Sequence, residues 1–347
     1  MGPVVSKNSS EGPGHACGRG LVKSNDRPPT VVLLILTWNR RDDVLRCAAS
    51  LPRSTYPNAM PVVIDNASQD DTVAAVRARY PGLTVLENRR NLGYAGGNNV
   101  GIRWALERGA DYVQLINSDT EVTPELTGEL VRVAESDPRI AVVGCRNLLM
   151  EDPTRLWGAY STLTYGPFLV RSAGAGAADG PPWQGVRDVD AVIGNGYLWR
   201  RAALEQVGLL DEAFFGYHED VEWCTRARRA GWRVVYAGSA SIIHRGGSSS
   251  ASGHARIFPA RYFLGRNAVL FVRRYAGRAE RVRFAATCTT ALTARLLRAL
   301  ARRALASGAR SELALELAYA RGLWDGLRRR SVPFAALGLA DAGPADG

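Results

Sequence analysis

No stretch of this 347-residue chain reaches the roughly 18 apolar residues that a membrane-spanning helix needs. Its most hydrophobic short run, residues 31–36, has only the length of a buried strand. Cysteine is scarce: Cys17, Cys47, Cys145, Cys224 and Cys288 are odd in number, widely spaced and without a CxxC pair. That pattern excludes a disulfide framework and a zinc ribbon, and favours a reducing, cytoplasmic compartment. The first 28 residues lack the apolar core of a secretory signal. They are rich in Gly, Pro, Ser and Asn, and are expected to form a disordered leader. No internal repeat, recognition-helix motif, aromatic RNP-like segment or zinc finger is present, so no specific nucleic-acid partner is expected.

What remains is an ordinary globular composition, 46% hydrophobic and 22% charged. The length suits one large α/β domain with an appendage, or two modest domains. The net charge of +11 is unevenly spread. Residues 251–330 hold 17 arginines, no lysine and four acids, so the basic excess belongs to the C-terminal third. A basic face attracts phosphate-rich partners. It serves here either as a lid or anionic-membrane patch, or as a solvated face on ordinary packed helices. Leu292, Leu296 and Leu300 are expected on one side of a helix there, with Arg295, Arg298 and Arg302 on the other.

Three apolar runs end in polar residues. Residues 31–36 lead into Thr37-Trp38-Asn39, 62–64 into Asp65-Asn66, and 112–116 into Asn117-Ser118-Asp119. The first is apolar throughout, as expected of a parallel strand covered on both faces. Helices are expected between them, one carrying Val73, Val76 and Tyr80 after Asp70 and Asp71, and one starting at Thr123-Pro124-Glu125. Alternating strands and helices predict a doubly wound sheet, whose ligands lie beyond the carboxyl ends of the strands. Asn39, Asp65 and Asp119 would share that rim. Further strands are expected at 189–193 and 233–236, and a mobile loop at 172–182.

Five constellations carry chemistry. Asp65 sits too early to cap the next helix and suits a base or ribose, whereas Ser68 and Asp70 are partly caps. The loop Asn91-Leu92-Gly93-Tyr94-Ala95-Gly96-Gly97-Asn98 opens a helix and lets backbone amides approach an anion, though it matches neither the dinucleotide nor the Walker pattern. Asn117 and Asp119 offer hard oxygen ligands for Mg2+ or Mn2+, or else form an Asx turn after a strand. Glu219 and Asp220, flanked by aromatics, fit a general base of raised pKa, or simply open a helix. His244 ends a β-branched run, where a lone histidine is more often structural than a ligand; beside Asp119 it would suit manganese.

In this order the residues resemble family 2 glycosyltransferases of the GT-A fold, especially rhamnosyltransferase-like members. The matching pieces are Leu36-Thr37-Trp38-Asn39-Arg40, Asp65-Asn66-Ala67-Ser68, the 91–98 loop, Asn117-Ser118-Asp119-Thr120, Gly194-Asn195-Gly196, Glu219-Asp220-Val221-Glu222-Trp223-Cys224 and His244. The resemblance implies an α/β GT-A fold: a Rossmann-like, mostly parallel central sheet flanked by helices, with a helical basic C-terminal extension. It implies a GT-A domain over 29–250, an extension over 251–335 and a disordered tail over 336–347. Thr37, Asn39, Asp65 and Asn66 would line the nucleotide pocket, with Gly97, Asn98 and Asn117 toward the diphosphate or donor sugar. Asp119 and His244 would hold Mg2+ or Mn2+, although the metal motif opens with Asn117 where Asp is usual. Asp220 would be the catalytic base of an inverting displacement, with Glu219 touching donor sugar or acceptor.

The implied donor is a nucleotide diphosphate sugar, dTDP-rhamnose first, then a UDP-hexose or galactofuranose. The implied acceptor is a glycan, a lipid-linked or a small-molecule hydroxyl. A non-catalytic nucleotide-sugar-binding protein is the alternative. The segments Phe263-Leu264-Gly265-Arg266-Asn267 and Arg321-Gly322-Leu323-Trp324-Asp325-Gly326-Leu327 look like pieces that follow the catalytic domain in these enzymes.

Overall fold

Strand β1 (Val31–Thr37) is built from seven residues of which all but Leu36 are buried, because both faces of the strand are covered. The computed structural model describes residues 27–245, 253–305, 310–339 and 342, so the expected leader lies outside the described residues except for 27 and 28. Beyond β1 the chain alternates helix and strand: α1 (Arg41–Ser50), β2 (Ala59–Asp65), α2 (Thr72–Arg79), β3 (Thr84–Glu87), α3 (Gly93–Glu107) and β4 (Tyr112–Asn117). A short β5 (Thr120–Val122), α4 (Leu126–Glu135) and the long β6 (Ile140–Leu149) follow. Short strands β7 (Leu156–Gly158), β8 (Ser161–Leu163), β9 (Val170–Ser172) and β10 (Val186–Asp188) lead to β11 (Tyr197–Arg200). Then come α5 (Arg201–Val207), α6 (Glu219–Arg229) and β12 (Arg233–His244).

The main sheet runs β10-β12-β6-β11-β4-β1-β2-β3. The pairs β3-β2, β2-β1, β1-β4 and β6-β12 are parallel, and β11 is antiparallel to both β4 and β6. The architecture is thus the expected mostly parallel sheet flanked by helices. Alternate residues of each strand feed two cores. Val32, Leu34, Ile64 and Leu115 face one, while Val31, Leu33, Ile35 and Ile116 face the other.

Several local expectations shift. The helix expected at Thr123-Pro124-Glu125 begins only at Leu126, so Pro124 lies before its first turn. Residues 189–193 are buried except for Asp190 and carry an isolated bridge from Ala191 to Ser161, while the ladder with β12 falls on Val186–Asp188. The segment 172–182 is tethered rather than loose. Ala173 N–H donates to Tyr160 O at 2.7 Å and Asp179 N–H to Thr154 O at 2.7 Å, and Asp179 pairs with Arg146. The four described cysteines are buried and unbridged.

The extension is three helices, α7 (Gly253–Tyr275), α8 (Arg278–Leu305) and α9 (Arg310–Arg328). No helix among the described residues is long and apolar enough to cross a membrane. On α8 the buried side is Leu292, Arg295, Leu296 and Ala299, whereas Leu300 is exposed. An i, i+4, i+8 series drifts about 80° around a helix, which carries Leu300 off that side. Arg295 turns inward to Glu316 at 2.8 Å. The expected tail at 336 also starts ordered, because Leu337 is buried with Phe215, Tyr262 and Phe263.

Helices α7 and α9 meet backbone to backbone through glycines. A Cβ on Gly322 would lie 2.0 Å from Tyr262 O, and one on Gly265 would lie 2.4 Å from Tyr319 O. Gly322→Ala should therefore push the helices apart and lower stability by about 1–3 kcal/mol, read as a fall in thermal midpoint. Gly82→Ala, whose added Cβ meets nothing within 4 Å, is the matched control and should leave the midpoint unmoved.

Candidate active site

The parallel register sets Thr37 beside Asp65 and Leu36 beside Asn117, so the polar ends of β1, β2 and β4 form one rim. Thr37 and Asp65 are buried there, yet Thr37 Oγ1 and Asp65 Oδ1 have no hydrogen-bond partner. Asp65 Oδ2 accepts Ser68 N–H at 2.9 Å. Leaving a buried acceptor open costs about 1–3 kcal/mol, so two of them side by side mark a place for an incoming donor. Beside Asp65 opens a hollow of about 460 Å³, bordered by Ala67, Ser68, Asn88 and Arg89. Asn39, at a φ of 50°, folds the end of β1 onto this loop. Its N–H donates to Ser68 Oγ at 2.8 Å and its Oδ1 accepts Gln69 N–H at 2.7 Å.

Three residues expected near the ligand are engaged within the protein. Asn66 donates to Asn91 Oδ1 and Gly93 O, and its Oδ1 accepts Asn88 Nδ2–H and Leu92 N–H. Both amide hydrogens and both lone-pair positions are thereby used internally. Gly97 packs α3 on β1, where a Cβ would stand 2.7 Å from Leu36 Cδ1. Asn98 is buried and donates to Tyr94 O at 2.9 Å. All three shape the loop that a ligand would touch.

Asp119 and His244 meet because β5 pairs antiparallel with the end of β12, with His244 opposite Thr120. Arg245 N–H donates to Asp119 O at 3.0 Å, and His244 Nε2 stands 3.3 Å from Asp119 Oδ1. Burial alone would raise the Asp119 pKa, but the His244 bond and charge, with Arg40, outweigh it and hold the carboxyl below its usual range. Two ligands on neighbouring octahedral positions, each about 2.1 Å from an ion, are about 3.0 Å apart, so the pair fits a divalent metal. Among the described residues no group of three His, Cys, Asp or Glu could hold an ion. A metal here would draw its other ligands from substrate oxygens and water. Asn117 shapes the turn: its N–H donates to Asn195 Oδ1 at 3.0 Å and its O accepts Thr120 Oγ1–H at 2.6 Å.

Glu219 and Asp220 open α6, after a loop in which Phe215, Tyr217 and His218 take φ of 59°, 70° and 70°. Such conformations cost energy in non-glycine residues and need outside support. Asn267 of α7, fully buried, gives it: Nδ2 lies 2.8 Å from each of Phe214 O, Gly216 O and Tyr217 O. Asp220 Oδ1 accepts Val221 N–H at 2.8 Å, and its Oδ2 lies against Gly194, where a Cβ would come within 2.9 Å. Burial pushes the Asp220 carboxyl up to about 6, against the pull of backbone N–H groups. Glu219 is driven well above the usual range by deeper burial and by the Asp220 charge. Its Oε2 has no partner.

Tyr94 bridges the two halves, donating its hydroxyl to Gly194 O at 2.8 Å. Burial, then the charges of Glu219, Asp220 and Asp119, raise its pKa. Asn267, Asn195 and Tyr94 were not assigned roles from sequence. The available signal was a buried-type amide or phenol within the matched segments.

Residues 32–192 match the sequence profile of Glycosyl transferase family 2. The N-acetylglucosaminyl-diphospho-decaprenol L-rhamnosyltransferase of Mycobacterium tuberculosis is 31% identical over 235 residues, covering 61% of this chain and 75% of that protein. Galactofuranosyltransferase GlfT1 of the same organism is 29% identical over 221 residues, 63% and 71% of the two chains. The structure of a mannosyltransferase from Pyrobaculum calidifontis, solved with GDP-Man and Mn2+, superposes with a TM-score of 0.57 at 18% identity, over 88% of this chain and 89% of that one. That likeness is one of fold.

Because the Asp220 carboxyl is raised on folding, the native state holds an extra proton between the ordinary aspartate range and about pH 6. Stability from this group therefore falls as pH rises through that window. Carbon-13 NMR of labelled protein should show Asp220 titrating near 6. Asp220→Asn should raise the thermal midpoint above pH 6 and not below pH 4 or so; a variant no more stable at neutral pH would contradict the raised pKa.

Proposed function

The chain belongs to glycosyl transferase family 2 and is a glycosyltransferase, and from that premise we propose an inverting transfer from a nucleoside diphosphate sugar to an acceptor hydroxyl. The observation that carries the reading is the setting of Tyr94: its hydroxyl donates to the carbonyl of Gly194, the residue that lies against Asp220, and the phenol is within reach of the charges of Glu219, Asp220 and the metal-capable Asp119 together. A base and a diphosphate anchor near enough to act on the same phenol can serve the two ends of a single displacement.

Thr37 Oγ1 and Asp65 Oδ1 accept hydrogen bonds from the base or ribose, in the hollow beyond β2. Asn39 orders the loop around it. Asp119 and His244 face the diphosphate and would hold Mn2+ or Mg2+; imidazole favours manganese. The chemistry such an ion would supply is neutralisation of the charge that develops on the departing diphosphate. Asp220, ionised above about pH 6, takes the proton of the acceptor hydroxyl as that oxygen bonds the anomeric carbon. The bond from that carbon to the diphosphate oxygen breaks on the opposite face, so configuration inverts. Glu219, pushed toward its protonated form by burial and by the Asp220 charge, donates a hydrogen bond to sugar or acceptor.

The donor we favour is dTDP-rhamnose, because the 31% identical relative is named a rhamnosyltransferase. Galactofuranose is second, supported by the galactofuranosyltransferase relative. A lipid-linked diphosphate acceptor follows the first relative's name, and peripheral attachment at the inner face of the cell membrane would bring it within reach.

Asp220→Asn should lower transfer by about 10²–10⁴-fold while calorimetry finds donor affinity unchanged; near-normal transfer would remove Asp220 as base. Asp119→Ala and His244→Ala should each weaken manganese-dependent donor binding and turnover together. Unchanged metal-dependent affinity in both would remove the pair as ligands. Initial rates over a donor panel should rank dTDP-rhamnose above UDP-galactofuranose.

A further inference from the structure

Away from the catalytic rim, α7, the start of α8 and the end of α9 enclose a cavity of about 560 Å³. Arg266, Arg273 and Arg274 reach it from α7, Arg281 from α8, and Arg329 and Arg330 from the chain after α9; Asp325 is the one carboxylate in its wall. Six guanidinium groups around one hollow repel one another unless anions offset them.

The protein offsets few of them. Arg273 donates to the carbonyls of Gly326 and Leu327, and Arg281 to Arg273 O. Arg266 donates to Ala213 O and Asn267 Oδ1. These are neutral acceptors, which orient a guanidinium without cancelling its charge. Asp325 is shared among Arg321 at 3.7 Å, Arg330 at 3.9 Å and Tyr262 Oη at 3.1 Å. Arg274 pairs with Asp211. Arg266 Nε is buried and has no partner. Burial, with the neighbouring Arg274, depresses the Arg266 pKa despite the nearby carboxylates. A desolvated, under-compensated guanidinium is costly unless a ligand completes it.

We propose that this cavity is a binding site for a phosphoryl anion of two or more charges, a phosphomonoester or diphosphate, borne either on a lipid headgroup or on a soluble molecule. Arginine's planar fork matches two phosphate oxygens at once, and several forks converge here. The volume exceeds a single phosphate and leaves room for the group that carries it. The site is separate from the metal-capable pair and does not rest on sugar transfer.

The test uses the full chain, metal-free with a chelator, at constant ionic strength. The cavity variant is Arg281→Gln/Arg329→Gln, two exposed side chains, and the control of equal charge change is Arg53→Gln/Arg79→Gln, two exposed side chains outside the cavity lining. Calorimetry with pyrophosphate should show the cavity variant weakened roughly ten-fold or more, the loss of at least one charge-assisted hydrogen bond. The control should stay within roughly two-fold of wild type, as expected of screened distant charges. In a second arm, sedimentation with phosphatidylcholine vesicles is compared with vesicles holding about 30% phosphatidic acid. Selective loss of vesicle binding in the cavity variant, reversed in wild type by excess pyrophosphate, assigns the anion to a lipid. Pyrophosphate binding without vesicle binding assigns it to a soluble phosphate. No binding of either probe, or equal loss in both double variants, overturns the proposal.

Discussion

The parallel pairing of β1 between β2 and β4 is the constraint on which the site depends. β1 is apolar on both faces, so it is stable only inside a sheet with helices above and below. Once it is there, its register with both neighbours brings Thr37, Asp65 and Asn117 out of the sheet together. A slip of one residue would exchange Val32 and Leu34 for Leu33 and Ile35 between cores, and would scatter the rim as well. Burial energy in the strands thus fixes the position of polar atoms that bury nothing themselves.

The other side of the rim is fixed by shorter contacts. β11 runs against the sheet direction and reverses the chain at Gly194-Asn195-Gly196, where Gly196 adopts a φ of 72°. That turn supplies Asn195 to the end of β4 and the Gly194 backbone to Asp220. Three carboxylates then share one neighbourhood with three electrostatic settings. Asp119 is pulled down by His244, Asp220 is pushed up by burial, and Glu219 is pushed further by burial and by Asp220. The three settings move the pKa values apart, favouring the ionised form of Asp119 and the protonated form of Glu219, with Asp220 raised to about 6.

Much of this was legible in the sequence, because strand interiors and strand ends differ sharply in composition. The run before Thr37 and the polar residues after Ile64 and Ile116 located the rim without any fold being assumed. The roles of Asn66, Gly97 and Asn98 were less legible. A polar or small residue at a loop that meets ligand looks the same whether it touches the ligand or supports the residues that do. The structure adds that all four hydrogen-bonding positions of the Asn66 amide are satisfied internally, which the sequence could not show. Leu300 and Arg295 misled for another reason. With seven arginines to five leucines along α8, period alone does not say which side packs, and an ion pair with Glu316 can be buried in place of an aliphatic contact.

The C-terminal extension cannot be regarded as an appendage to a finished site. The loop before Glu219 holds three non-glycine residues at positive φ, and two of them, Phe215 and Tyr217, are bulky aromatics that disfavour such a path. Asn267 supplies the missing stabilisation from α7, and Phe263 stacks on Phe215 at 5.1 Å beside it. Farther along the same helix Tyr275 bonds Glu222 of α6, and Arg274 pairs with Asp211. From α9, Tyr319 donates to Pro167 O at 2.9 Å, on the segment beyond β8. α7 is in turn held by the close glycine contact with α9. The orientation of Asp220 therefore depends on helices whose sequence carries no catalytic group, and a boundary drawn near residue 250 divides the chain by composition but not by mechanics.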